Sequence, residues 1–569
     1  MSFRNQVGLW LLATIGAFAG AAPAQITGTS HLARMDGFTR HWKAQLGPKI
    51  NRLSASAQTL FLLSEQREKF KAIGAAIGKT GGVAESLSRP KTKLMPRKPA
   101  SAPNISFTRF SGAVQSETST AWCGKQAVVG FKDSDSILET GGGLSALFDI
   151  TDPTSGFSFN SFAVSTNSGG SFTDKGSLTV GPIGTFLEGD PVLACTDPSN
   201  FFYSSLYFDG SLPGPTGNGA TDVSLSRSTD GGITFSAPVA AVAKDAFFHF
   251  LDKDWMTVNE ANADIFITYT DFDASGTGAC GLILRTAIEL VRSTDGGATW
   301  SSPKVVVQVC GAPFVQGSQV VVDPASGNVY VAWESFESDF YSREIDIAKS
   351  TDGGVTFSGP VKVSAVHPVG DGNIAFGLQG FISDFEYPSL TTGKGKKNAG
   401  TLYITWNDGD NRVLDAWVDA ITTVHGIGDG KYGFSDIFFS SSSDGGSTWS
   451  SPVAVNAPSS APADHYQPGA ASDKSGKLAV CWYDRRRDKN NFRIDRFCGK
   501  STNGGATWSN TKITASSYSS VVNQDLLMPH DYMGDYDQLT SEATNSRSGF
   551  LGGFVNTQTG NQNVQVNKF

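Results

Sequence analysis

An octapeptide returns six times along this chain, and no other feature limits its folding so sharply. One copy reads Ser293-Thr294-Asp295-Gly296-Gly297-Ala298-Thr299-Trp300, and close variants start at Ser165, Ser228, Ser350, Ser442 and Ser501. The first serines are 63, 65, 57, 92 and 59 residues apart, which signals a repeat architecture. Asp or Asn at the third position can fold back onto the amides that follow, and the glycine pair accepts positive φ without a Cβ penalty. The next Thr re-enters a strand, and the aromatic covers the turn. Each copy therefore reads as a strand, a fixed turn and a strand.

A second periodic signal gives the number of repeats. Before each turn lies a strand ending in an aromatic, usually with an acid two positions on: Phe131/Asp133, Tyr207/Asp209, Tyr269/Asp271, Trp333-Glu334, Trp406/Asp408 and Trp482/Asp484. A seventh member, Phe554/Asn556, has no octapeptide after it, and its repeat stops at Phe569 one strand short. The alternating segment from Asn104 to Phe110 can supply that strand, and sharing of this kind closes a ring without an exposed edge. The expectation is an all-β, seven-bladed β-propeller over residues 104–569, with a six-bladed ring plus an appended strand pair as the alternative.

The octapeptide is the Asp-box, also called the bacterial neuraminidase repeat, and the chain resembles the sialidase-like β-propeller superfamily. The resemblance implies the propeller fold. For activity it spans sialidases, other glycan-cleaving propellers and binding-only receptors such as sortilin. Sialidases have six blades and hold the substrate carboxylate with three arginines, the first in a Phe/Tyr-Arg-Ile-Pro motif. The nearest counterpart here is Thr108-Arg109-Phe110, without Ile-Pro; Arg343, Arg412, Arg485 and Arg547 are further arginines, and no motif marks the Tyr-Glu nucleophile pair.

The N-terminal hundred residues read differently. Arg4, an apolar run from Val7 to Ala22, and Ala22-Pro23-Ala24 have the form of a signal peptide over residues 1–24, so the expectation is a secreted protein cleaved near Ala24. No other stretch approaches the ~20 apolar residues of a membrane span. Residues 25–79 read as a basic helical region, with Leu60, Leu63, Phe70, Ile73 and Ile77 in one stripe. This region reads as a helical hairpin packed on the propeller or as a propeptide, with an attachment arm to an acidic or anionic surface as the alternative. Residues 80–103 read as a Pro- and Lys-rich linker. Residues 25–100 carry 14 Lys and Arg against 4 Asp and Glu, whereas residues 101–569 carry 30 against 49. The acidic body excludes a nucleic-acid partner. Six cysteines with no Cys-x-x-Cys spacing suit three disulfides. Cys481 with Cys498 falls on one hairpin, and Cys280 with Cys310 and Cys123 with Cys195 follow by repeat position.

Blade geometry assigns side chains to faces. The face opposite the boxes collects acids at the starts of first strands (Glu117, Asp190, Asp254, Glu386, Asp464 beside His465, Asp535, Asp537) and at the ends of second strands (Asp133, Asp209, Asp271, Asp408, Asp484). Convergent carboxylates suit glycoside hydrolysis, and they also suit calcium. The long insertions at 132–158 and 408–434 fall on this face. Asp254, Glu386, Asp484 and Asp535 are the candidate acid and base pool; Arg485 and Arg486, in the cluster from Tyr483 to Asp488, are candidate clamps for an acidic sugar, with Tyr483 and His465 beside them. His249, His465 and His530, each near an Asp, offer a conceivable metal set but lie in three different blades, so no metal site is assigned. The resulting expectation is a secreted glycoside hydrolase acting on an acidic glycan, with no required cofactor and calcium as the one candidate ion. The alternative is a non-catalytic propeller that binds a glycan or a protein.

Overall fold

The computed structural model describes residues 41–47, 49, 53, 105–107 and most of 114–569. The expected signal peptide, the stripe from Leu60 to Ile77, the linker, Arg109, Arg412, His530, Arg547 and most of both long insertions lie outside the described residues.

The described strands form seven sheets, antiparallel except for one short parallel strand, six of four strands and one of five. These are the seven blades of a propeller. Their first strands are Gln115–Cys123, Thr185–Cys195, His249–Val258, Phe314–Val322, Ser389–Thr392, His465–Ser472 and Leu539–Ser541. All seven line one cavity of about 150 Å³, which marks them as the inner strands around the axis. In blade seven the strand Ile105–Phe107 pairs with Asn563–Lys568, in the register Ile105↔Val566, so the two ends of the propeller chain share one sheet. Blade two gains a short parallel strand, Phe157–Ser158, from blade one.

The second-strand aromatics pack the ring. Phe131, Tyr207, Tyr269, Trp333, Trp406, Trp482 and Phe554 are all buried. The acid two positions on has a local task in two blades: the Trp482 indole N–H donates to Asp484 Oδ2 at 2.8 Å and that of Trp406 to Asp408 Oδ2 at 3.3 Å. The octapeptides form one repeated turn. Ser293 Oγ accepts the Gly297 N–H at 2.8 Å and donates to Asp295 Oδ1 at 2.7 Å. Asp295 then accepts the Thr299 N–H at 2.9 Å and the Thr299 hydroxyl at 2.6 Å. Gly297 has φ +82°, and a Cβ there would stand 2.3 Å from Leu225, which explains the glycine.

Three disulfides are present, Cys123–Cys195, Cys280–Cys310 and Cys481–Cys498, and they are the three pairs the repeat positions predict. They fit an oxidising compartment. Among the described residues no helix is long and apolar enough to cross a membrane.

Candidate functional site

Five of the seven inner strands break register near their starts, where the axial group gathers. The ladder shifts between Ser116 and Ser119, Gly189 and Val192, Asp252 and Trp255, Gln316 and Gln319, and Tyr466 and Gly469. Inside these bulges Glu117, Asp190, Lys253, Gly317 and Gln467 take positive φ, between 50° and 67°. Five blades thus repeat one strained conformation, which only Gly317 adopts without a Cβ penalty.

The bulges gather a charged group at the axis. Glu117, Asp190, Asp252, Lys253, Asp254 and Asp535 are buried there, and Lys132 joins them from the second strand of blade one. Tyr532 donates its hydroxyl to Glu117 Oε1, and Lys253 donates to Asp535 Oδ2. Ser204 Oγ donates to Asp254 Oδ2 at 2.6 Å, and Gln316 Nε2 to Asp252 Oδ2 at 2.6 Å. Aromatic rings cover the amines: Lys132 Nζ lies 5.5 Å from the Tyr532 ring centre and 5.7 Å from that of Phe159, while Lys253 Nζ lies 5.4 Å from Phe385 and Tyr387. Three buried polar atoms of the group, Glu117 Oε2, Lys132 Nζ and Asp254 Oδ1, have no hydrogen-bond partner among the described residues. Such atoms are costly unless something satisfies them.

Burial and charge separate the protonation states. Burial pushes Asp254 up to about 8, although the Ser204 hydroxyl favours its charged form. Burial and then the neighbouring Glu117 hold Asp190 well above the usual carboxylate range. Asp535 rises to about 6 by burial, against the pull of Lys253. Lys253 is raised, because Asp535 and Asp190 outweigh the cost of burying its charge, whereas burial lowers Lys132 in spite of Glu117 and Asp190. Tyr532 is pushed well up by burial and by Asp535 and Glu117, so its phenol keeps its proton. At neutral pH the group contains a protonated carboxyl at Asp254 and a protonated phenol at Tyr532 that donates to Glu117. A carboxyl that keeps its proton at neutral pH can serve as a general acid.

The structure brings two of the sequence candidates, Asp254 and Asp535, into this group. The others stand elsewhere. Glu386 is an ion pair with buried Arg343 and accepts the Val369 N–H at 2.6 Å. Asp484 receives Arg486 Nε at 2.7 Å besides the Trp482 indole. Arg485 is fully buried against Asp464 Oδ2 at 3.2 Å. His465 donates Nδ1 to the Ser435 carbonyl at 2.8 Å and lies 3.4 Å from Asp484. Tyr483 accepts the Val555 N–H at 2.7 Å. Sequence reading missed Lys132, Lys253 and Tyr532 as site residues. Lys253 was findable, since it holds the same blade position as Glu117 and Asp190. Tyr532 was not, because it precedes its inner strand in the least regular blade.

One group on this face can offer a metal ligand set: ligand atoms of His249, Asp271 and Asp273 lie within 4.8 Å of one another. Lys244 Nζ already stands 2.8 Å from Asp271 Oδ2, and Arg285 Nη1 stands 3.1 Å from it and 3.7 Å from Asp273. With two cations on these carboxylates, the set fits calcium poorly and reads as an ion-pair network.

No protein-family model matches the chain, and no curated protein does. Solved structures do. The chain is similar to a protein of unknown function from Dyadobacter fermentans, with 11% identity over 82% of this chain and 97% of that one and a TM-score of 0.41. It is similar to a Hadza microbial sialidase, with 15% identity over 72% and 73% and a TM-score of 0.40. A polysaccharide lyase acting on ulvan gives 9% identity over 81% and 95%, with a TM-score of 0.46. These likenesses are partial, and the blade count rests on this chain's own strand pairing.

Proposed function

We propose that this protein is a secreted, carbohydrate-acting propeller enzyme, a glycoside hydrolase, with its reacting centre at the axial group. The observation that carries the reading is the convergence of Glu117, Asp190, Asp254 and Asp535 with Lys132, Lys253 and Tyr532, three of whose buried polar atoms have no hydrogen-bond partner among the described residues. Asp254 is the proton donor to the leaving oxygen, since it is protonated at neutral pH. Tyr532 is the nucleophile: Glu117 takes its proton as the hydroxyl oxygen attacks the anomeric carbon and the bond to the leaving oxygen breaks, and water then displaces Tyr532, giving one proton to Asp254 while the phenol recovers its own from Glu117. Lys132 and Lys253 are the amines among the described residues of the group, and they support an acidic glycan as substrate. Glu386, Asp484, Arg485, Arg486, His465 and Tyr483 then act as a positioning frame around the ring, a role their existing ion pairs and hydrogen bonds support.

The test is turnover of a fluorogenic glycoside panel, neutral sugars, sialosides and uronides included, by wild type, Asp254→Asn and Tyr532→Phe. Turnover by wild type that falls in both folded variants supports the reading. A folded wild type with no turnover on any member overturns it and leaves the binding-module alternative.

A further inference from the structure

A helical segment far from the propeller in sequence is seated on the face that holds the axial group. Residues 41–46 are helical, and Trp42 and Leu46, four residues apart on one face of that helix, are buried, as are Lys49 and Leu53. More than fifty residues, including the Pro- and Lys-rich stretch 80–103, separate Leu53 from the first propeller strand. The segment is therefore held by its own contacts and not by a short tether.

Those contacts are specific. The Trp42 indole N–H donates to the Ala246 carbonyl at 2.8 Å, and its ring lies 5.8 Å from Phe250. His41 stacks on Phe247 at 4.2 Å. Lys49 Nζ donates to the Gly311 carbonyl at 2.5 Å and stands 5.4 Å from the Phe314 ring. Ala246 and Gly311 lie in the connections that lead into blades three and four. Phe250 and Phe314 lie on the inner strands, three residues before Lys253 and Gly317 at the axis. The segment thus packs on the starts of the inner strands of blades three and four, the end of those strands that carries the axial group. Burial of Trp42 and Leu46 supplies the drive.

We propose that residues 41–47, with Lys49 and Leu53, are an intramolecular cap that occupies these strand starts and restricts entry to the axial group. The effect on turnover rests on the proposed function; the cap itself does not. Two readouts on the full chain keep them apart. The first is acylation of Lys132 and Lys253 by a small amine-reactive reagent, followed by peptide mass spectrometry. The second is hydrogen exchange of peptides spanning 246–252 and 311–316. In Trp42→Ala both rise several-fold over wild type, and in Lys49→Ala they rise less, at an unchanged propeller melting temperature. Should Trp42→Ala fail to fold, the rise in Lys49→Ala alone decides. Faster acylation without turnover in any protein keeps the cap and removes the hydrolase. Acylation and exchange unchanged in both variants overturn the cap.

Discussion

Asp254 shows how one buried carboxyl ties chemistry to stability. Its hydroxyl partner Ser204 and its neighbours leave one oxygen with no hydrogen-bond partner among the described residues, and burial raises it from 3.8 to about 8. A raised acid binds its proton more tightly when folded, so its contribution to stability is full below the unfolded value of about 4. That contribution is lost as pH rises through the folded value of about 8. Asp254→Asn removes the dependence: its melting temperature falls less than that of wild type on going from acid to mildly alkaline pH. The same change removes the proton donor and lowers turnover by about 10²–10⁴-fold. A second residue-scale prediction concerns the turns. Ser293→Ala leaves the buried Gly297 N–H unpaired and costs about 1–3 kcal/mol in chemical denaturation.

At the scale of the element, the inner strand is the working part. Its bulge turns a ladder residue toward the axis, and the ion pairs around it keep the strand in place. Arg343 sits between Glu386 and Glu334, 3.6 Å from the latter, and all three are fully buried. Arg343→Met leaves two buried carboxylates uncompensated, and the expected loss is about 3–5 kcal/mol, read as a lower melting temperature. The bulge also explains which parts of the site were legible in the sequence. Acids at the starts of first strands stood out because Asp and Glu are unusual in a buried strand, which drew attention to Asp254 and Asp535. The bulge itself leaves no mark, because Glu117, Asp190, Lys253 and Gln467 share a conformation but no residue type. The dense cluster from Tyr483 to Asp488 attracted a binding role by charge alone. In the fold Asp484 answers the Trp482 indole two residues earlier on its own strand, and Arg485 answers Asp464, a contact over 21 residues that no local spacing encodes.

At the scale of the whole molecule, seven sheets stand around one axis, and sequence periodicity was sufficient to count them. The aromatics at second-strand ends repeat because each fills the same interblade space, so their number equals the number of blades. The disulfides followed from the same register. Cys123–Cys195 ties the inner strands of blades one and two, next to the blade that joins the two chain ends. The double change Cys123→Ala with Cys195→Ala lowers stability by about 2–4 kcal/mol and leaves the other two bridges intact by mass spectrometry. The axial position of the charged group is the central claim, since every blade's inner strand is arranged about it. The most direct measurement is glycoside turnover against pH for wild type, Asp254→Asn and Tyr532→Phe, with folding of each verified by melting. The account predicts wild-type activity that falls as pH rises above about 8, a loss of about 10²–10⁴-fold in Asp254→Asn, and a comparable loss in Tyr532→Phe. Full activity in either folded variant would contradict it.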